Sequence, residues 1–371
     1  MKKYLIKVLL VISTSILLLG CGEKKNNGIN IGSVVVMSGS SALWGQMAQK
    51  GISIVLDDYN LDKAANEKIN VIYEDSKGEP SSAISALNKL ISADNVQVVL
   101  GDMLSSTTLA MAPVANKNKV VLIGISCSAP AITEAGPYIY RVWPSDLYEG
   151  EALAKWAINQ SLKRISIIYL KNDYGEGLKD AFANTFVKLG GTIKGTGFFT
   201  DQEQNYRNII TKVVNGVDAI YIVGYYENTA LIIRQIREIN QNVKILGTSS
   251  AENEALIKIA GKAAEGFIYP LSSDWDLQKL NNKQEIFRDK FVKKYKVEPD
   301  WAAVHGADAV LVAIDALQHA KTGPQIKAYI DKEKNFDGIT GKITFDENGD
   351  VINKPITFKT VKNGQFVDFK R

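Results

Sequence analysis

Between Val98 and Pro130 the chain reads VVLGDMLSSTTLAMAPVANKNKVVLIGISCSAP. A short apolar run ends in a Ser/Thr cluster that opens a helical pattern. A second apolar run ends in another Ser-rich turn. Two strands that stop side by side would bring Ser105, Ser126 and Ser128 together. Ser and Thr are good N-cap residues, and a helix start carries free N–H groups and a partial positive charge. Hydroxyls and amides placed in this way hold a carboxylate or phosphate without Arg or Lys. A single serine of this kind is best read as a cap. Three converging from neighbouring strands read as one half of a ligand-binding cleft. A carboxylate fits better than a phosphate, because neither GxxxxGK followed by Ser or Thr nor GxGxxG after a strand occurs.

Other apolar runs end in residues of the same kinds. Met37–Gly45 reads MSGSSALWG, and Trp44 could wall a pocket for an apolar side chain as readily as pack at a helix start. Tyr174 lies in NDYGEG, Tyr225 follows Gly224, and Ser249 and Glu252 lie in GTSSAE. Glu227, Glu252, Asp173 and Asp274 are the acids placed to meet an ammonium group, although each would ordinarily be a solvated or capping carboxylate. His305 and His319 are the only histidines, both inside helical patterns. Cys127, between Ser126 and Ser128, reads as a buried structural thiol. No metal, cofactor or catalytic cluster is expected, and no G-x-S-x-G elbow favours an enzyme.

The elements that must position these residues alternate along the chain. Ile29–Val36, Ile69–Glu74, the VQVVLG and VVLIGI runs, Ile165–Leu170, Asp218–Gly224 and Val243–Gly247 are apolar and rich in Val and Ile. Helical patterns separate them, for example Trp44–Tyr59, Ser105–Asn116, Glu149–Gln160 and Tyr174–Leu189. Continuous apolar strands between amphipathic helices predict parallel sheets covered on both faces, a doubly wound α/β architecture. The pattern occurs twice, with a plausible crossing at YRVWPSD (Tyr140–Asp146). Two open lobes follow, 29–143 with 272–340 and 144–271 with 341–371, joined by a hinge of several chain crossings. Ligands in such sheets bind outside the carboxyl ends of the strands.

The start of the chain sets the compartment. Lys2, Lys3 and Lys7 precede an apolar run, Val8 to Leu19, then Gly20 and Cys21. A basic start, a short apolar stretch and a small residue describe a secretory signal, and the run is short for a membrane span. Leu18-Leu19-Gly20-Cys21 resembles a bacterial lipobox, so residues 1–20 are expected to be removed and Cys21 lipidated. Residues 21–28 then form a tether. Three of the 44 basic residues and none of the 40 acidic ones lie in the signal, leaving 41 against 40, or +1. That balance gives no support to a nucleic-acid partner.

From Ile29 nearly to its end, the chain resembles the type I periplasmic substrate-binding proteins of ABC importers, and most closely the leucine/isoleucine/valine-binding group. The pieces VVVMSGSSALWGQMAQKGISIVLDDYN, VVLGDMLSSTTLAMAPVA, SAPAITEAGPYIYRV, IIYLKNDYGEGLKDAF, IYIVGYYENTALIIRQIRE, IAGKAAEGFIY and GKITFDENGDV carry the resemblance by their order and spacing. It implies a Venus-flytrap mechanism in a monomer: ligand binds one lobe, the hinge closes, and the closed form docks on a membrane permease. It implies that Ser105, Ser126 and Ser128 bind an amino acid's carboxylate and ammonium, that Trp44 lines the side-chain pocket, and that Tyr174 and Tyr225 descend on closure. One departure stands out. The group places a Glu after the strand corresponding to VKILG, and here that position is Ser249. Either Glu252, Glu227 or another acid replaces it, or the ligand is an amide, a urea-like compound or a small acid without an amine. A receptor serving a membrane sensor would share the same site.

Overall fold

The computed structural model describes residues 28–272, 275–277 and 279–370. Cys21, the signal and most of the tether lie outside the described residues, as does Asp274. The strands are β1 (Ile29–Val35), β2 (Ile69–Asp75), β3 (Val98–Leu100), β4 (Val121–Gly124), β5 (Ile139–Arg141), β6 (Arg164–Leu170), β7 (Thr192–Phe199), β8 (Ala219–Val223), β9 (Lys244–Leu246), β10 (Ile268–Leu271), β11 (Asn335–Gly338), β12 (Gly341–Phe345), β13 (Val351–Ile352), β14 (Thr357–Lys362) and β15 (Gln365–Asp368). The helices are α1 (Ala42–Asn60), α2 (Pro80–Ser92), α3 (Ser105–Asn118), α4 (Asp146–Asn159), α5 (Asp173–Lys188), α6 (Arg207–Val213), α7 (Tyr226–Ile239), α8 (Glu254–Ala260), α9 (Asn282–Tyr295), α10 (Trp301–His319) and α11 (Gly323–Glu333).

Two sheets organise the molecule. The first runs β2-β1-β3-β4-β5, all parallel. The second runs β15-β14-β10-β9-β8-β6-β7, parallel from β7 to β10 and finished by the antiparallel pair β14 and β15. Position in the sheet decides the residue pattern. Central β8 is buried at every residue, whereas edge strand β7 alternates between exposed and half-buried positions, as one-sided burial requires. Among the described residues, no helix is long and apolar enough to cross a membrane.

The chain crosses between the two bodies after β5, after β10 and after β13. The last crossing falls later than the sequence pattern suggests. That pattern assigns residues 341–352 to the second lobe. Instead β12 pairs antiparallel with β11, and β13 pairs with β12. This small sheet buries Ile343 and Phe345, and the Phe345 ring meets that of Tyr140 in β5 at 5.4 Å. Hairpin pairing across Gly338 and Gly341 outweighs the strand-like composition that makes the tail look continuous.

Arg141 locks the same region. Its guanidinium is wholly buried and grips Asp350 bidentately, with Nε to Oδ1 and Nη2 to Oδ2 both at 2.6 Å. Nη1 also donates to the Ala129 carbonyl at 2.8 Å, and Nη2 to Thr133 Oγ1 at 2.8 Å. One side chain therefore fixes the turn carrying Ser128 against the end of the first sheet.

Candidate functional site

The carboxyl ends of both sheets face one another across a cleft with about 390 Å³ of empty space, open solvent included. Each lobe sets a helix directly on a strand end, and one glycine in each makes this possible. A Cβ on Gly45 would lie 1.8 Å from the Val36 carbonyl oxygen, and one on Gly175 would lie 1.9 Å from that of Leu170. Each glycine follows an aromatic residue, Trp44 in α1 and Tyr174 in α5. Both aromatic rings line the cavity.

The serines do not act as caps, since the N-cap position of α3 is Leu104 and no side chain caps that helix. Ser105 is the first residue of α3, and its Oγ accepts hydrogen bonds from the N–H groups of Ser128 (3.2 Å) and Ala129 (3.1 Å). With both lone pairs engaged, the hydroxyl offers its hydrogen to the cavity, as binding a carboxylate needs. Ser126 donates to the Met103 carbonyl at 3.0 Å, which leaves its lone pairs for a donor. Ser105, Ser126, Ser128 and Ser249 all line the space.

The remaining wall is aromatic. Trp44 is 2% exposed and meets Tyr225 at 5.1 Å and Trp301 at 5.5 Å between ring centroids. Trp301 in turn meets Trp143 at 5.4 Å. Tyr174 and Tyr225 stack at 5.4 Å, and Tyr174 shares a 2.7 Å hydrogen bond with Ser250. Burial raises the hydroxyls of both tyrosines above the usual range, so they remain neutral. Hydroxyl and aromatic groups lining one cavity suit a small amphiphile.

The lobes meet around this space. Ser106 Oγ donates to Asp173 at 2.5 Å, Ser40 Oγ to Asp201 at 3.2 Å, and the Tyr226 hydroxyl to the Ser40 carbonyl at 3.3 Å. Trp301 Nε1 reaches across to the Glu252 carbonyl at 3.3 Å.

Of the expected residues, Trp44, Ser105, Ser126, Ser128, Tyr174, Tyr225 and Ser249 come together. Glu252 does not. Its carboxylate accepts from the Tyr269 hydroxyl at 2.8 Å, away from the cavity, and burial raises its pKa. Asp173 is engaged with Ser106, and Glu227 lies beside the Tyr226 hydroxyl at 3.3 Å. The acid that meets Ser249 is Glu149 in the first turn of α4. It accepts from the Ser249 N–H (3.1 Å) and hydroxyl (2.5 Å). Trp143, Trp301, Met103 and Ser250 also line the space, and the sequence pattern singles out none of them. Trp143 stands in the crossing segment YRVWPSD, and a position between lobes is the signal that could have marked it. Trp301 opens a long helix and carries no local signal. Cys127 is buried, and desolvation pushes its thiol up to about 11. His305 is buried against Trp143, with its pKa lowered to about 3 by desolvation.

Fold and cavity together define a two-lobed solute-binding protein. Comparisons agree. The family model "Periplasmic binding protein" matches residues 28–365, and the chain belongs to that family. A leucine-binding protein LivK from Thermotoga maritima is 31% identical, with TM-score 0.85 over 92% of this chain and 98% of that one. The branched-chain amino acid transporter substrate-binding protein LivJ of Streptococcus pneumoniae, solved with isoleucine, is 26% identical, with TM-score 0.83 over 91% and 97%. The Leu/Ile/Val-binding protein BraC3 of Rhizobium johnstonii is 26% identical over 344 residues, 91% of this chain and 93% of that one.

Proposed function

We propose that this protein captures an apolar α-amino acid, a branched-chain one first, between its two lobes and delivers it to an ABC importer permease outside the cytoplasm. The observation that carries the reading is one cavity lined both by serine hydroxyls and by Trp44, Trp143 and Trp301. The relatives named for leucine, isoleucine and valine support it. Ser105 and Ser128 hold the carboxylate, Ser126 helps to hold the ammonium, and the tryptophans with Met103 surround the side chain. Tyr174, Tyr225 and Ser249 come from the second lobe and complete the enclosure when the hinge closes. In this reading the first lobe comprises 29–143 and 272–340 extended by β12 and β13, and the second comprises 144–271 with the C-terminal hairpin. The protein acts as a monomer, without catalysis, tethered to the membrane by a lipid on Cys21.

A thermal-shift series on the purified protein with leucine, isoleucine and valine tests this. At about 100 times Kd the ligand should add about 2.7 kcal/mol of stability. No shift with any amino acid would refute the reading. The second reading, a carboxylate ligand without an amine, follows from Ser249 standing where a Glu was expected. 4-Methylpentanoate, leucine's skeleton without its amine, separates the two.

A further inference from the structure

The first turn of α4 carries two carboxylates that stand directly behind serines of the cavity. Glu149 holds Ser249 through both its N–H and its hydroxyl. Asp146 donates its backbone N–H to the Ser128 carbonyl at 2.8 Å. Ser128 and Ser249 line the same space from opposite lobes. The two acids are 1% and 2% exposed, and Asp146 Oδ2 has no hydrogen-bond partner. Trp44 Nε1, at the cavity wall, is likewise unpartnered. The groups facing the acids supply no free positive charge. Arg141 from β5 is committed to Asp350, and the others are neutral: Tyr174 from α5, Tyr221 from β8 and Ser249 itself. Arg141 offsets part of the cost at Asp146, but two buried carboxylates without a cation of their own are disfavoured by desolvation and by mutual repulsion. The start of α4 offsets only part of that.

We propose that Asp146 and Glu149 together are the counter-charge for the ligand's ammonium group, replacing an acid at position 249, and that ligand capture expels a proton held by this pair. The inference rests on the amino-acid reading above. The ammonium keeps its three hydrogens, and the proton leaving the acid pair passes to solvent. Burial pushes Glu149 up to about 7, and burial with the Glu149 charge pushes Asp146 upward too. An arriving cation opposes both effects by favouring the ionised carboxylates. Affinity for the amino acid therefore climbs as pH rises through the range in which the acid pair titrates and levels off once the pair is ionised.

Isothermal titration calorimetry on the purified protein tests this, using leucine in buffers of different ionisation enthalpy from about pH 5.5 to 8.5. Proton release near pH 6 that fades by pH 8.5 is expected. Glu149→Gln should weaken leucine by about 30-fold or more, as loss of one partner of a buried charge pair does, and should reduce the buffer dependence. Asp146→Asn should also weaken it. Ser105→Ala should weaken leucine while leaving the buffer dependence intact, which a merely structural role for the acids would not predict. Leucine binding without buffer dependence at any pH overturns the inference and leaves the amino-acid reading standing. So does undiminished binding by both acid variants. Binding of 4-methylpentanoate as tight as leucine, or failure of the wild type to bind any amino acid, overturns both. The wild-type proton release needs no variant, so a misfolded variant does not blunt the test.

Discussion

Glu149→Gln should make the empty protein more stable at alkaline pH. Folding raises the Glu149 carboxyl from the usual 4.5 to about 7, chiefly by burial and despite the two hydrogen bonds from Ser249. The folded chain thus retains a proton that the unfolded chain gives up between these values. Stability carried by that proton is fully present below about pH 4.5 and is lost as pH rises through 7. At about 1.4 kcal/mol for each pH unit, the interval corresponds to about 3 kcal/mol. Gln is neutral throughout and can still accept from the Ser249 N–H, so the variant avoids most of this loss. Removing the Glu149 charge also relieves Asp146, whose carboxyl that charge helps to raise. Urea titrations of ligand-free wild type and variant at several pH values read the effect directly. At an m-value of about 2 kcal/mol/M, the variant's midpoint at pH 8 should lie about 1.5 M higher. The two proteins should converge towards pH 4.5. Identical pH dependence in both would refute the reasoning, because Glu149 could not then be the group that titrates on folding. An acid retained against stability is the expected mark of a site kept for a ligand.

Asp350→Ala leaves the Arg141 guanidinium buried without its carboxylate and should destabilise the protein by about 3–5 kcal/mol in chemical denaturation, whereas replacing both residues by apolar ones of similar volume should recover much of that. Ser105→Ala removes the acceptor for the Ser128 and Ala129 N–H groups and should destabilise the free protein by about 1–3 kcal/mol, measured by urea unfolding. Cys127, wholly buried with its thiol pushed up to about 11, should react with a thiol reagent only at the rate of unfolding, so its labelling should accelerate sharply in urea.

Short-range pattern makes much of this protein legible. A buried parallel strand needs a run of apolar residues. The turn at its carboxyl end needs small polar ones, and both signals lie within about ten residues of one another. Local spacing alone therefore puts Ser105, Ser126, Ser128 and the pairs Trp44-Gly45 and Tyr174-Gly175 at strand ends. The same locality hides other residues. Glu149 looks like the start of an ordinary helix, because its bond to Ser249 spans 100 positions. Trp301 meets Trp44 and Trp143 only once α10 is laid across the first lobe. Residues 341–352 carry a strand pattern that suits either lobe, and pairing with β11 decides between them.

The sequence by itself determined the alternation of strands and helices, the hydroxyl and aromatic chemistry at the strand ends, and the absence of a Glu at position 249. Each depends on residue type and local spacing, which the chain carries explicitly. Only the tertiary structure decided which acid faces Ser249, which tryptophans close the cavity and where residues 341–352 pair. Those outcomes depend on how separate elements dock, and docking is set by the summed burial of many side chains rather than by any one stretch of sequence.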